Sequence, residues 1–111
     1  ALQAVAQRHQ VELEILRANE PSPVTDPDSE AFARVERAIQ EAWPGTPVLP
    51  FLLCGGTDTK HFVGFCPNCL RFTALRLNAQ QLKLCHAVDE HVDLDTLPNG
   101  VDFFKHLIQE L

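Results

Sequence analysis

Residues 47–62 read PVLPFLLCGGTDTKHF, and this stretch decides the fold that the sequence predicts. The run Pro47–Leu53 is short and apolar, which is typical of a buried β-strand. It leads directly into Gly55-Gly56, a pair typical of a turn, and a short helix is expected from about Asp58. The order of strand, glycine turn and helix favours an α/β layer arrangement from Asp28 onward.

A longer helix is predicted on the N-terminal side of this stretch. Asp26 is a suitable N-cap, and Pro27 fits the first helical position because the backbone needs no N–H there. Pro44-Gly45 is expected to end the helix. The apolar residues between them recur at helical spacing and predict one buried face. They are Phe32, Val35, Ile39, Ala42 and Trp43.

The remaining elements are predicted from periodicity. After a short helical segment over residues 1–9, residues 10–17 alternate apolar and polar side chains, as a half-exposed antiparallel strand does. Residues 70–75 alternate in the same way and are predicted to form another strand. A last amphipathic helix is predicted to become regular near Asn99, with one apolar face. That face consists of Leu97, Val101, Phe104, Ile108 and Leu111.

Composition limits the classes of function. The chain has 111 residues, 45% of them apolar, which is enough for the core of one small domain. Its net charge is −6 and its nine basic residues form no stripe, so we expect no nucleic-acid partner. No apolar run reaches membrane length, so we expect a soluble chain, cytoplasmic or secreted, with no membrane partner. The sequence begins with Ala1 and contains no Met, which suggests a piece of a longer protein.

A candidate metal ligand lies in residues 84–90, LCHAVDE. His86 supplies an imidazole, a common zinc ligand, and Asp89 and Glu90 follow closely enough to support it. The turn Gly55-Gly56-Thr57 offers backbone N–H groups to an anion. A complete hydrolytic site needs more ligands than these residues supply.

Motifs along nearly the whole chain occur in an order known from one family. They are PSPV at 21–24, DSE at 28–30, PFL at 50–52, GGTD at 55–58, HF at 61–62, RF at 71–72, His86, Glu90, Leu97 and FFKHLI at 103–108. From about Val11 to its end, the chain therefore resembles the C-terminal part of the M20 family of zinc metallopeptidases. Within that family it is most similar to the carboxypeptidase S and N-acyl-amino-acid hydrolase group.

The resemblance implies a domain organisation. Members have an α/β catalytic domain that holds two zinc ions and is interrupted by a smaller α+β lid domain. Residues 1–20 would be the last helix and strand of the lid or dimerisation domain, 21–27 a hinge, and 28–111 the C-terminal part of the catalytic domain. A fragment of this kind would leave apolar faces uncovered, so we expect it to self-associate, and the parent can form a homodimer.

The resemblance also implies site residues. The last metal ligand of the family is a His in the position of His86. Many relatives have Asn where this chain has Asp89, just before Glu90, and this extra carboxylate either orients His86 from behind or only caps the turn. The turn Gly55-Gly56-Thr57 would bind the carboxylate end of a peptide or N-acyl amino acid, and Lys60 stands where relatives often carry Arg. The family's other ligands and its general-base glutamate lie upstream. The resemblance therefore implies hydrolysis of a peptide or amide bond next to a free carboxylate, with this fragment inactive alone.

The cysteines support an alternative. Cys66 and Cys69 form a C-x-x-C unit, and Cys85-His86 follows after fifteen residues, close to the spacing of a zinc knuckle or ribbon. This would make the chain a structural zinc-binding module, although adjacent ligands chelate one tetrahedral ion awkwardly. A thioredoxin-like redox site is a third reading, but its C-x-x-C opens a helix, whereas this one precedes a predicted strand. The simplest reading of the cysteines is free thiols or one Cys66–Cys69 bridge.

Overall fold

The structure is a computed structural model that describes residues 1–111, and its regular elements are all helical. The α-helices are α1 (Leu2–Arg8), α2 (Glu30–Ala42), α3 (Ala79–Lys83) and α4 (Leu97–Gln109), and 3-10 turns cover Asp58–His61 and Leu94–Thr96. Helices α2 and α4 pack against each other and form the centre of the molecule. None of the helices has both the length and the apolar content that a membrane crossing requires.

Helix α2 begins three residues later than the sequence predicts. The hydroxyl of Ser29 is the N-cap, because it accepts a hydrogen bond from the Phe32 amide at 3.3 Å. Asp26 instead closes the turn before the helix, where its carboxylate accepts from the amide of Asp28 at 2.9 Å. The predicted N-cap is therefore wrong, since Asp26 and Ser29 lie three residues apart and both are of a type that caps helices. The predicted end is confirmed, because the helix stops at Ala42 and Gly45 follows with a φ of 77°.

Helix α4 begins at Leu97, two residues before the predicted regular start. Pro98 lies in the first turn, where its missing N–H costs no helical hydrogen bond. The predicted apolar face is wrong, because the helix turns Gly100 and Phe103 toward the core and leaves Phe104 half exposed. Apolar residues occupy two neighbouring stripes of this helix, so periodicity alone does not decide which stripe packs.

The core is small and centres on Phe103, whose side chain is 1% exposed. Its ring centroid lies 4.8 Å from that of Phe72 and 6.3 Å from that of Trp43. The other buried apolar residues of the cluster are Ala38, Ile39, Ala42 and Ala74. These contacts join α2, α4 and the segment before α3 into one unit.

Polar and backbone contacts fix α4 against its neighbours. The side-chain amide of Asn99 donates to the carbonyl of Ala42 at 2.7 Å, which satisfies one of the free carbonyls at the end of α2. Gly100 lies directly against the carbonyl of Ala74, and a Cβ atom at position 100 would collide with that oxygen. The close approach of helix and segment at this point therefore requires glycine.

An exposed ion network joins the far ends of α2 and α4. Arg37 contacts the carboxylates of Glu30 at 2.9 Å and Glu110 at 2.8 Å. Hydrogen bonding from Arg37 is the main reason why the pKa of Glu30 lies below its usual value. All three side chains are exposed to solvent, so the network orients the helices and adds little to stability.

The predicted strands do not form. No backbone hydrogen bond links residues 10–17, 47–53 or 70–75 to one another, and none of these segments is a strand in the structure. A strand needs a neighbour that accepts and donates along its whole length, and these segments find none within this chain. The α/β class and the strand of the lid domain are therefore not confirmed, and the observed architecture is helical.

The unpaired segments give the chain an open shape. Its radius of gyration is 18.7 Å, whereas a compact domain of this length would have a radius of about 13 Å. The apolar side chains of residues 49–52 point into solvent, with Leu49 80%, Phe51 79% and Leu52 66% exposed. Such a contiguous apolar surface is unusual for a monomeric protein and typical of a surface that another partner covers.

We predict that the 111-residue chain self-associates as its concentration rises, because association removes Leu49, Phe51 and Leu52 from water. Light scattering should show an average mass above that of the 12.4 kDa monomer. Replacing both Phe51 and Leu52 by serine should lower this mass while leaving the circular dichroism of α2 and α4 unchanged. A monomer at every concentration, or unchanged association of the double variant, would contradict the prediction.

Candidate functional site

Four of the predicted site residues line one large cavity. The cavity has a volume of about 1180 Å³ and lies between helix α2, the loop 19–27 and the segments 43–57 and 69–77, which form no helix or strand. Gly55, Gly56, Thr57 and Lys60 all contribute to its wall. Helix α2 supplies an apolar part of the wall through Phe32, Val35 and Ile39. These four residues are close together in the sequence and lie on the same wall, and their role as a substrate site stays a prediction.

Thr57 is a polar group of this wall whose hydroxyl makes several hydrogen bonds. Its hydroxyl caps the 3-10 turn Asp58–His61 by accepting from the amide of Thr59 at 3.3 Å, and it also contacts the Thr59 hydroxyl. The Nε of Arg71 donates to the same Thr57 oxygen at 3.1 Å. Arg71 thereby ties the glycine turn to the segment after the C-x-x-C unit. Sequence reasoning missed this contact, since fourteen residues and no periodic signal separate the two partners.

Neither the backbone conformation nor the packing of this chain requires glycine at positions 55 and 56. Neither has a positive φ, and a Cβ atom at either position would meet no atom within 4 Å. Nothing within this chain therefore excludes a side chain at these two positions. A glycine pair that the fold does not need is consistent with a backbone that something outside this chain approaches closely.

His86 lies in the exposed turn after α3. A capping box of Asn78 and Gln81 starts that short helix, and the helix ends at Lys83. His86 has a φ of 66°, a conformation that side-chain-bearing residues seldom adopt. Its amide donates to the carboxylate of Glu90 at 3.1 Å, which holds the strained turn in place. Glu90 thus supports the backbone of His86 rather than its ring.

A three-donor group surrounds His86. The ligand atoms of Cys85, His86 and Glu90 all lie within 4.8 Å of one another, and all three residues are exposed. Thiolate, imidazole and carboxylate are the three side-chain donors that zinc uses, so the donor set fits this metal. Asp89 does not belong to the group, and its carbonyl oxygen lies 2.7 Å from Nδ1 of His91. The sequence named His86 and Glu90 here but assigned Cys85 only to the alternative.

The structure does not bring the two halves of the predicted site together. His86, Asp89 and Glu90 are not among the residues that line the cavity beside Gly55-Gly56. The chain therefore has two separate groups of site residues. One is the Gly55-Gly56-Thr57 turn in the cavity wall, and the other is the exposed group of metal donors in the turn after α3.

Comparison with known proteins decides the family. Residues 4–110 match Peptidase family M20/M25/M40. The chain belongs to this family. The M20 assignment confirms the resemblance seen in the order of motifs and supports a peptidase-type domain. Peptidases of this family generally use zinc.

The M20 chain is similar to curated relatives over most of its own length. It is 31% identical over 90 residues to "Probable carboxypeptidase S-like 2" of Dictyostelium discoideum. The matched region covers 81% of the chain and 17% of that relative. It is 31% identical over 100 residues to "N-fatty-acyl-amino acid synthase/hydrolase PM20D1" of Xenopus tropicalis, covering 89% and 20%. The mouse protein of the same name is 30% identical over 102 residues, covering 89% and 20%. The M20 chain thus spans about a fifth of the length of these relatives. No solved structure is significantly similar to it.

The four-ligand zinc module is not assembled in this M20 chain. The only group of three or more close metal donors is that of Cys85, His86 and Glu90, and neither Cys66 nor Cys69 belongs to it. The thiols of Cys66 and Cys69 instead donate to nearby carbonyls at 3.4 and 3.3 Å. The structure therefore does not bring the four ligands of the alternative prediction together.

The C-x-x-C unit has a structural environment. The hydroxyl of Thr25 accepts from the amide of Cys69 at 3.1 Å and donates to its carbonyl at 3.2 Å, as a strand partner would. Burial raises the pKa of the Cys69 thiol, and its contact with Cys66 acts in the same direction. A raised pKa lowers the thiolate population that redox catalysis requires. All four cysteines are free in this chain.

Proposed function

We propose that this chain is the C-terminal part of a zinc-dependent M20 hydrolase that cleaves a peptide or amide bond next to a free carboxylate. In this proposal residues 1–20 belong to a lid or dimerisation domain, 21–27 form a hinge, and 28–111 complete the catalytic domain. The observation that carries it is the family match over residues 4–110. The names of the relatives, a carboxypeptidase and an N-fatty-acyl-amino acid synthase/hydrolase, favour a peptide or N-acyl amino acid as the substrate.

The cavity beside Gly55-Gly56-Thr57 is the proposed substrate site. The two glycines leave backbone amides open to close approach, and Lys60 adds a positive charge at the same wall. A lysine attracts a carboxylate as a point charge and does not grip it at two points. The apolar wall from α2 suits the side chain or acyl group of such a substrate.

His86 is the proposed zinc ligand of this chain. In this family a bound zinc would lower the pKa of a water molecule and polarise the scissile carbonyl. His86 would hold the metal through its imidazole, and Glu90 would keep the backbone turn that presents this ring. Asp89 would add negative charge beside the ligand. Two zinc ions and a general base need more groups than the exposed trio of residues 85, 86 and 90 supplies, so the chain alone is proposed to be inactive.

The unpaired segments fit the same proposal. Residues 10–17, 47–53 and 70–75 carry strand-like sequences but form no backbone hydrogen bonds with one another here. The relatives are about five times as long as the matched region, so a longer protein has the chain length to supply neighbouring strands. We propose that these three segments pair with such strands and that the exposed side chains of residues 49–52 are covered in the process.

The test compares this chain with the full-length protein that contains it. Each is incubated with zinc and an N-acyl amino acid, and release of the free amino acid is measured. The full-length protein is expected to hydrolyse the substrate, whereas the 111-residue chain is expected to show only the background rate. The proposal fails if the full-length protein hydrolyses neither N-acyl amino acids nor peptides with a free C-terminus. Hydrolysis by the short chain alone would overturn the division of the site.

A further inference from the structure

The charge of the cavity differs from that of the whole molecule. The chain has a net charge of −6. Among the residues that line the cavity, three are basic and one is acidic. The bases are Lys60, Arg71 and Arg76, and the acid is Glu20. A concave surface with an excess of one sign raises the local concentration of ions of the other sign, so this cavity favours anionic ligands.

Arg71 is the base whose orientation is fixed. It is half-buried, and its Nε donates to the hydroxyl of Thr57 at 3.1 Å. Its two terminal nitrogens make no hydrogen bond and no ion pair, although every other arginine with a side-chain contact in this chain pairs with a glutamate. The free edge of this guanidinium therefore stays available at the cavity wall.

We infer that Arg71 recognises the free carboxylate of the ligand that this cavity binds. A guanidinium donates two parallel hydrogen bonds to a carboxylate, which the ammonium of Lys60 cannot do. Thr57 holds Nε and thereby sets the plane of the fork. The apolar residues Phe32 and Val35 line the same cavity, so the ligand combines a carboxylate with an apolar group. This inference rests on the proposed function for the reaction, which is hydrolysis of the bound ligand. The binding of the carboxylate by Arg71 does not depend on that reaction.

A purely structural role for Arg71 predicts a different result. If the Arg71–Thr57 hydrogen bond only fastened two segments together, its loss would weaken an acid and the matching neutral amide equally. Recognition of a carboxylate instead changes the ratio of the two affinities. The ratio is therefore the informative quantity, and it requires no catalysis.

The experiment measures binding of N-octanoyl-leucine and N-octanoyl-leucinamide to the 111-residue chain. The chain is kept at a concentration at which light scattering shows a monomer, because association would cover Leu49, Phe51 and Leu52 in the cavity wall. Trp43, the single tryptophan, lines the cavity and reports binding by its fluorescence. The acid is expected to bind about tenfold more tightly than the amide, because a bidentate contact to a charged group adds this much or more. Arg71→Gln should bring the ratio close to one. Arg76→Gln removes an equal charge from the same cavity and should leave most of the preference for the acid over the amide.

Several outcomes overturn the inference. It fails if the wild-type chain does not bind the acid, if acid and amide bind equally, or if Arg76→Gln lowers the ratio as much as Arg71→Gln does. If Arg71→Gln loses its helical circular dichroism, Arg71→Lys takes its place, because it keeps the charge and removes the fork. That variant should lose most of the preference. A full-length protein without hydrolytic activity would remove the proposed reaction and leave this binding result standing.

Discussion

Turnover of an N-acyl amino acid by the full-length protein is expected to fall by about a hundredfold or more when His86 is replaced by alanine. The reason is that changes to groups that merely support a metal ligand already cost about 10- to 100-fold, and His86 is proposed to be a ligand itself. The measurement is kcat at saturating substrate and added zinc. Because His86 is exposed and its side chain makes no hydrogen bond within this chain, the folded structure should survive the change.

His9→Ala is the matched control for this prediction. His9 is also exposed, follows a short helix and lies outside the proposed site, so its replacement removes an imidazole without changing that site. The control should retain wild-type turnover. Wild-type turnover in the His86→Ala protein as well would show that this imidazole has no part in the reaction.

The largest expected effect on stability comes from Phe103→Ala. Phe103 is the largest fully buried side chain and contacts Trp43, Phe72 and Phe104. Removing a buried Phe costs about 3–5 kcal/mol of unfolding free energy, from lost burial and from the cavity that remains. A chain of this size has about 5–15 kcal/mol in total, so the variant should lose a large fraction of its unfolding free energy. The change in unfolding free energy is measured by urea unfolding. The loss of helix is followed by circular dichroism at about 222 nm.

Phe104→Ala tests whether burial is the cause. Phe104 is the next residue of the same helix and carries the same side chain, but it is 52% exposed. Its replacement should cost less than about half as much as that of Phe103, because surface changes typically stay within a few tenths to one kcal/mol. Equal losses in the two variants would contradict the burial of Phe103 and the stripe on which α4 packs.

Local signals in the sequence predict three of the four α-helices, namely α1, α2 and α4, and miss the short helix α3. The end of α2 at Ala42 follows from Pro44-Gly45, and the amphipathic patterns of α2 and α4 come from residues three and four apart. Errors arise where two local solutions compete. Asp26 and Ser29 both suit a helix N-cap, and α4 carries apolar residues on two stripes, so only the contact with α2 selects Phe103 over Phe104.

The strands could not be decided from the sequence because their stability is not local. Residues 47–53 have the composition of a buried strand, and in this chain they are mostly exposed and form no backbone hydrogen bond with another segment. An apolar run predicts which side chains a segment buries. It does not predict whether a neighbouring strand is present to pair with its backbone. The same holds for residues 70–75, which contribute Ala74 to the core without entering a sheet.

The candidate site was predictable as a set of residues and not as a set of contacts. The motif around Gly55-Gly56-Thr57 led to the cavity, and His86 led to the exposed donor group. The contact of Arg71 with Thr57 and the proximity of Cys85 to Glu90 depend on how turns bring side chains together. No periodicity or motif spacing encodes these two contacts, so they appear only in three dimensions.

The central claim is that His86 holds one of the two zinc ions of a hydrolase, and metal content tests it most directly. The full-length protein and its His86→Ala variant are dialysed against the same zinc buffer, and bound zinc per chain is measured by atomic emission. The account predicts two ions in the unaltered protein and one in the variant. Two ions in both proteins would contradict it.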